Sequence, residues 1–411
     1  MANKTGSPAK SKTALLIGGG APNSTLMAGA LVAFLEQGAK FDVISCSGAG
    51  ALMGLLYTAP KNGDPAKALR EWAQVGVSDE LYRMFPVNYK IFMKPGSAAE
   101  WWREMLSTNP FTAPLYDPAS PWGRGVLSDW IKLMFATLSP SDLSPSSLGL
   151  CAHLPFAEQV IDFDAVPHLE PDFYINAYNT TTEQMRIFGK QEVTPEHLKA
   201  AFSFPFIYPP YPLEDGDYIE GAAIDTINFK ALVSDNPADE ALHREIDNLV
   251  VFDILGADKL IRKPRDLYDA WVLSIITPLV EIAKDDVDLF EYKHNRDKDG
   301  KPKRNLYKVD LTGGIPQDHW NMVLDWSNSN LELLFQVGYK AGLEFCRQHA
   351  AMLGIGEPAR AAEVKEVKST AVIAPAPVAS VHVEGRKPDP VADKPAVAAE
   401  PELSGPADTQ S

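Results

Sequence analysis

Twice before Tyr57 the chain runs from a short apolar strand through a turn of small residues straight into a helix, and that order leaves few folds open. Residues 13–17 read as a buried strand, Gly18-Gly19-Gly20 as the turn, and 25–37 as a helix stopped by Gly38. Residues 41–44 read as the second strand and 49–57 as the start of the next helix. A strand–helix–strand–helix unit with buried strands is the mark of an α/β fold with a mostly parallel sheet. The pattern resumes later. Residues 173–179 and the stretch around 185–188 form a hairpin about Thr180-Thr181-Thr182, and a helix is capped by Thr194 with Pro195 at its first position. A strand-like run follows over 249–255, then a mostly buried helix over 267–283 and a charged loop over 294–304. An amphipathic helix over 328–348 turns Leu331, Leu334, Phe335, Gly338 and Leu343 to the core.

Between these parts, from about residue 64 to 144, aromatic residues are punctuated by prolines from Pro86 to Pro121. No single regular element tolerates that spacing, which predicts an insertion of short helices and loops. Its clusters Met84-Phe85-Pro86, Ile91-Phe92-Met93 and Trp101-Trp102 suit either contact with lipid or an ordinary subdomain core. Beyond Gly356 there is no Phe, Tyr or Trp, and a segment that buries so little apolar surface is expected to be disordered. The expected organisation is a leader over 1–12, a domain over 13–355 and a tail over 356–411. Within the domain, 13–230 bears the motifs and 231–355 is a C-terminal extension.

A chain of 411 residues with 45% hydrophobic content can bury a large core. Its formal net charge of −16 argues against nucleic acid as a partner and gives no support to a polybasic lipid anchor. Cys46, Cys151 and Cys346 are odd in number and lack metal-binding spacing, so neither a disulfide framework nor a zinc site is expected. The apolar run after the lysines of the leader is too short for a signal peptide, and no run of about 20 apolar residues follows. A cytoplasmic protein, with peripheral contact at membranes left open, is the expectation.

Three stretches carry chemistry. The turn Gly18-Gly19-Gly20-Ala21-Pro22-Asn23-Ser24 can aim backbone N–H groups at an anion, or it is a plain tight turn; it matches neither nucleotide-binding glycine pattern, and no cofactor is implied. Asp42-Val43-Ile44-Ser45-Cys46-Ser47-Gly48-Ala49-Gly50-Ala51 has the outline of a nucleophile elbow, with Gly48 where the nucleophile would stand. The third combines Ala201-Phe202-Ser203-Phe204-Pro205, Pro209-Pro210 and Glu220-Gly221-Ala222.

Together these resemble the patatin-like phospholipases, whose elbow reads close to D-V-I-x-G-T-S-A-G-A and ends its helix in Leu-Tyr. Asp42, Val43, Ile44, Ala49, Gly50, Ala51, Leu56 and Tyr57 match, Cys46 replaces the first Gly, and Gly48 replaces the catalytic Ser. The resemblance implies a three-layer α/β fold and an ancestry in lipid acyl-ester hydrolysis by a Ser–Asp dyad. It also implies an oxyanion hole of the type G-G-G-x-R-G, here Gly18, Gly19 and Gly20 with Asn23 at the Arg position. The dyad Asp falls on Glu220, displaced by one methylene, about 1.5 Å. Ser47 is the nearest substitute nucleophile, although alternation along the strand end turns it into the sheet packing. Cys46 reads as a small buried hydrophobe, and His197 is the histidine to check against Glu220.

Two readings follow. In the first, the Ser–Asp chemistry is lost and a lipid, fatty-acyl or protein-partner binding role is retained. In the second, Glu220 acts as base on a water in the space left by the Ser side chain, or on Ser47, in a non-standard acyl-ester hydrolase.

Overall fold

The fold is that of a computed structural model, which describes residues 11–20, 23–116, 120–123, 125–141, 143, 147–233, 243–322 and 324–356. The expected leader and tail lie outside these residues, apart from Ser11, Lys12 and Gly356. Among the described residues eight strands form one mixed sheet: β1 (Lys12–Ile17), β2 (Val43–Cys46), β3 (Asp172–Asn179), β4 (Gln184–Gly189), β5 (Tyr211–Leu213), β6 (Gly216–Glu220), β7 (Ile246–Phe252) and β8 (Asn305–Lys308). Their order is β5-β6-β3-β2-β1-β7-β8, with β4 also on β3. The run β3-β2-β1-β7-β8 is parallel, while β4, β5 and β6 pair antiparallel.

The α-helices among the described residues are α1 (Ser24–Gln37), α2 (Ala49–Thr58), α3 (Pro65–Trp72), α4 (Asp79–Met84), α5 (Ser97–Thr108), α6 (Ala113–Tyr116), α7 (Val126–Leu138), α8 (Ala157–Val160), α9 (Pro195–Ala201), α10 (Leu267–Leu289) and α11 (Asn328–Gln348). Strand alternation divides the core between the two faces of the sheet. Leu15 and Ile17 of β1 join Ile44, Phe173 and Phe252 under α1, α2 and α11. Ala14 and Leu16 join Val43, Leu249 and Val251 on the other face, under Ile227, Phe229, Val287 and Phe290. A parallel sheet buried on both sides is the three-layer α/β arrangement.

Helix α11 crosses α1 with backbones in contact. A Cβ on Gly338 would overlap the Leu26 carbonyl oxygen and lie 2.6 Å from its carbon, so only glycine allows this approach. The described residues between 64 and 144 fold as α3 to α7 with intervening turns. One expectation changes: α10 is not mostly buried over 267–283. It presents a stripe of Leu273, Ile276, Val280, Ala283 and Val287 to the protein, while Leu267 is 88% exposed. Its apolar residues outnumber the positions the core can take.

Candidate active site

Strand β2 ends at Cys46, and Gly48 turns the chain into α2 with φ 49° and ψ −125°. This left-handed backbone suits glycine and strains any other residue. Strand pairing decides what lies above the turn. β2 occupies the first half of one edge of β3, with Cys46 opposite Ile175, and β6 occupies the second half, with Glu220 opposite Ala177. β4 holds the other edge. Glu220 therefore comes in just beyond the end of β2, over the elbow. A Cβ on Gly48 would overlap Glu220 Oε1, lying 2.9 Å from its Cδ and 2.8 Å from Ala222 Cβ. The carboxyl and Ala222 stand where a side chain at Gly48 would begin.

The segment after Glu220 returns beneath the elbow and is strapped to it. Ser45 Oγ donates to the Asn228 carbonyl at 2.7 Å, and Ser47 Oγ donates to the Asp225 carbonyl at 2.9 Å. Ser47 is fully buried, with its hydroxyl committed to this strap rather than to Glu220. Cys46 is also fully buried, and burial pushes its thiol well above the usual range. His197 bonds Thr194 and packs on Phe188, with no hydrogen bond to Glu220.

The glycine turn departs from a ready oxyanion hole. The Gly18 N–H donates to the Phe252 carbonyl and the Gly19 N–H to the Thr226 carbonyl, both at 3.1 Å, so neither is presented to a ligand. The cause is the sheet: β7 runs beside β1, and the strap passes beneath the turn. Gly20 has φ 117°, and its N–H makes no hydrogen bond among the described residues. Ala21 and Pro22 lie outside those residues. Asn23 is 1% exposed, and neither polar atom of its side chain has a partner among the described residues.

Glu220 is 8% exposed, and no described group hydrogen-bonds its carboxyl. Burial alone lifts it to about 8. The Tyr208 hydroxyl, close enough to feel its charge, is buried without a partner and is itself pushed up by burial. Asp286 accepts the Ile227 N–H at 3.0 Å and holds the strap from the far side.

A cavity lined by residues between Phe85 and Gln159 lies away from the elbow. It measures about 390 Å³ and is walled by Phe85, Phe92, Trp102, Phe135 and Phe156. A second, of about 230 Å³, shares Lys90, Phe156 and Gln159 with it and reaches Leu52 and Leu56 of α2. The aromatic clusters signalled this region in the sequence, whereas the lysines within it did not stand out. The available signal was Asp129 and Lys132 spaced i, i+3 on an otherwise apolar helix.

A family model described as patatin-like phospholipase matches residues 15–242. Among solved structures, VipD from Legionella pneumophila is similar, with 13% identity and a TM-score of 0.35 over 84% of this chain and 68% of that one. No curated protein matches at a significant level.

Proposed function

This chain belongs to the patatin-like phospholipase family, and we propose that within it the Ser–Asp reaction is lost while a lipid-acyl ligand is still bound. One observation carries the proposal: the elbow position is Gly48, which has no side chain to supply a nucleophile, and the Glu220 carboxyl lies beside it. Covalent acyl transfer requires a nucleophile within hydrogen-bond reach of its base, about 2.6–3.2 Å. Ser47 and Cys46, the two candidates beside the turn, are buried, and the Ser47 hydroxyl is bonded to the Asp225 carbonyl. The retained ligand is supported by the family's lipid chemistry and by the apolar cavities of the insertion. Exposed Trp101, Phe111, Trp122 and Leu127 on the insertion support peripheral contact with a membrane surface; among the described residues no helix is long and apolar enough to cross one.

A fluorophosphonate probe tests the loss directly. The wild-type chain is expected to remain unlabelled, and the pair Gly48→Ser with Glu220→Asp is expected to gain labelling. Specific labelling of the wild type, or ester hydrolysis that disappears in Glu220→Ala, would overturn the proposal.

A further inference from the structure

The larger cavity is apolar over most of its wall, yet its lining among the described residues includes four cationic side chains, Lys90, Lys94, Arg103 and Lys132, and no carboxylate. In a chain of net charge −16, this local reversal of sign does not follow from composition. Lys90 is matched: its Nζ lies 3.3 Å from Asp129 Oδ1 and donates to the Gly76 carbonyl at 2.6 Å. The other three hydrogen-bond only to backbone carbonyls among the described residues, with Glu100 near Arg103 and Asp129 near Lys132. Lys132 donates to Gly123 at 2.8 Å, Lys94 to Thr137 and Ser139 at 2.8 and 2.9 Å, and Arg103 to Lys94 at 2.8 Å. Lys132 is 3% exposed. A buried ammonium with no ion pair among the described residues is costly; burial, together with the nearby Lys90, pulls Lys132 down to about 8 against the opposing pull of Asp129. An arriving anion would relieve both effects.

We propose that this cavity is a binding site for a single-chain amphiphile with an anionic head, its hydrocarbon chain lying against Phe92, Trp102, Phe135 and Phe156 and its head on Lys132. The volume falls within the range of about 300–1,000 Å³ typical of small-molecule sites. The adjoining cavity gives a longer chain a continuation toward α2. A fatty carboxylate and a lysophospholipid phosphate share the required chemistry. The inference takes from the proposed function only that an acyl chain is the ligand, and it is independent of the elbow's reactivity.

Calorimetric titration of the full chain with hexadecanoate, hexadecanoyl lysophosphatidate, hexadecanol and hexadecyltrimethylammonium tests it. At least one anion is expected to bind about tenfold or more tightly than the alcohol, as a charge-assisted contact requires, and the tighter anion identifies the head group. Lys132→Met is expected to abolish that preference and to raise the thermal midpoint of the ligand-free chain, whereas Lys132→Arg retains the preference. Equal binding of anion and alcohol, or a preference that survives in a folded Lys132→Met, would overturn the site. Either result leaves the fluorophosphonate outcome unaffected. Labelling of the wild type would overturn the loss of chemistry and leave this site standing.

Discussion

Replacing Glu220 by Gln removes the charge and keeps the shape, which makes it the sharpest probe of the filled elbow. Burial without a hydrogen-bonding partner raises this carboxyl from 4.5 to about 8. Between those values the folded chain holds a proton that the unfolded chain has released. Stability therefore falls as pH rises, by about 1.4 kcal/mol per pH unit. The contribution is fully present below pH 4.5 and is lost as pH climbs through 8, at most about 5 kcal/mol in total. Glu220→Gln has nothing to titrate at this position, so the variant is expected to gain on the wild type steadily from pH 5 to pH 8. Asp286, raised to about 7, titrates in both proteins and cancels in the difference. Urea unfolding of the pair across pH 5–9 measures it. A flat difference would refute the buried, unpaired carboxyl. A wild type that gained on the variant with rising pH would mean that Glu220 is ionised and partnered in the fold, which is the condition for a general base at neutral pH.

In a double-mutant cycle, Gly48→Ser alone is expected to cost about 2–4 kcal/mol, from a side chain at φ 49° and its overlap with Oε1. Adding Glu220→Asp should recover about 1 kcal/mol or more relative to the sum of the single changes, and strict additivity in denaturant unfolding would show that the two positions do not share this space. Gly338→Ala must part α1 from α11 and is expected to destabilise by about 1–3 kcal/mol. A neutral or higher thermal midpoint, the usual result of Gly→Ala in an open helix, would rule out the close crossing. Phe111→Ser with Trp122→Ser, at positions 92% and 69% exposed, is expected to weaken cosedimentation with phosphatidylcholine vesicles several-fold, and unchanged partitioning would remove the case for membrane contact.

What the sequence disclosed was local, and what it withheld depends on pairing between distant segments. Gly38 ends α1 at φ 72° because a helix stop is written into a single residue. Thr194 does occupy the N-cap in an extended conformation, but Glu196 and His197 take its hydroxyl, so the expected cap bond is not made. The strained turn at Gly48 was legible from small residues between a strand and a helix. The occupant above it was not, since it requires β6 to continue the edge of β3 beyond the end of β2. Read along the chain, Glu220 is an Asp moved by one methylene and Gly48 a missing hydroxyl, two separate defects. Read in space they are one arrangement: the longer carboxylate takes the volume given up by the lost side chain, and the Gly48 backbone tolerates the turn with nothing attached. The cations of the insertion, spread from Lys90 to Lys132, are drawn together in the same way. On the proposed reading, a serine restored alone would meet the Glu220 carboxyl, and both positions would have to change together.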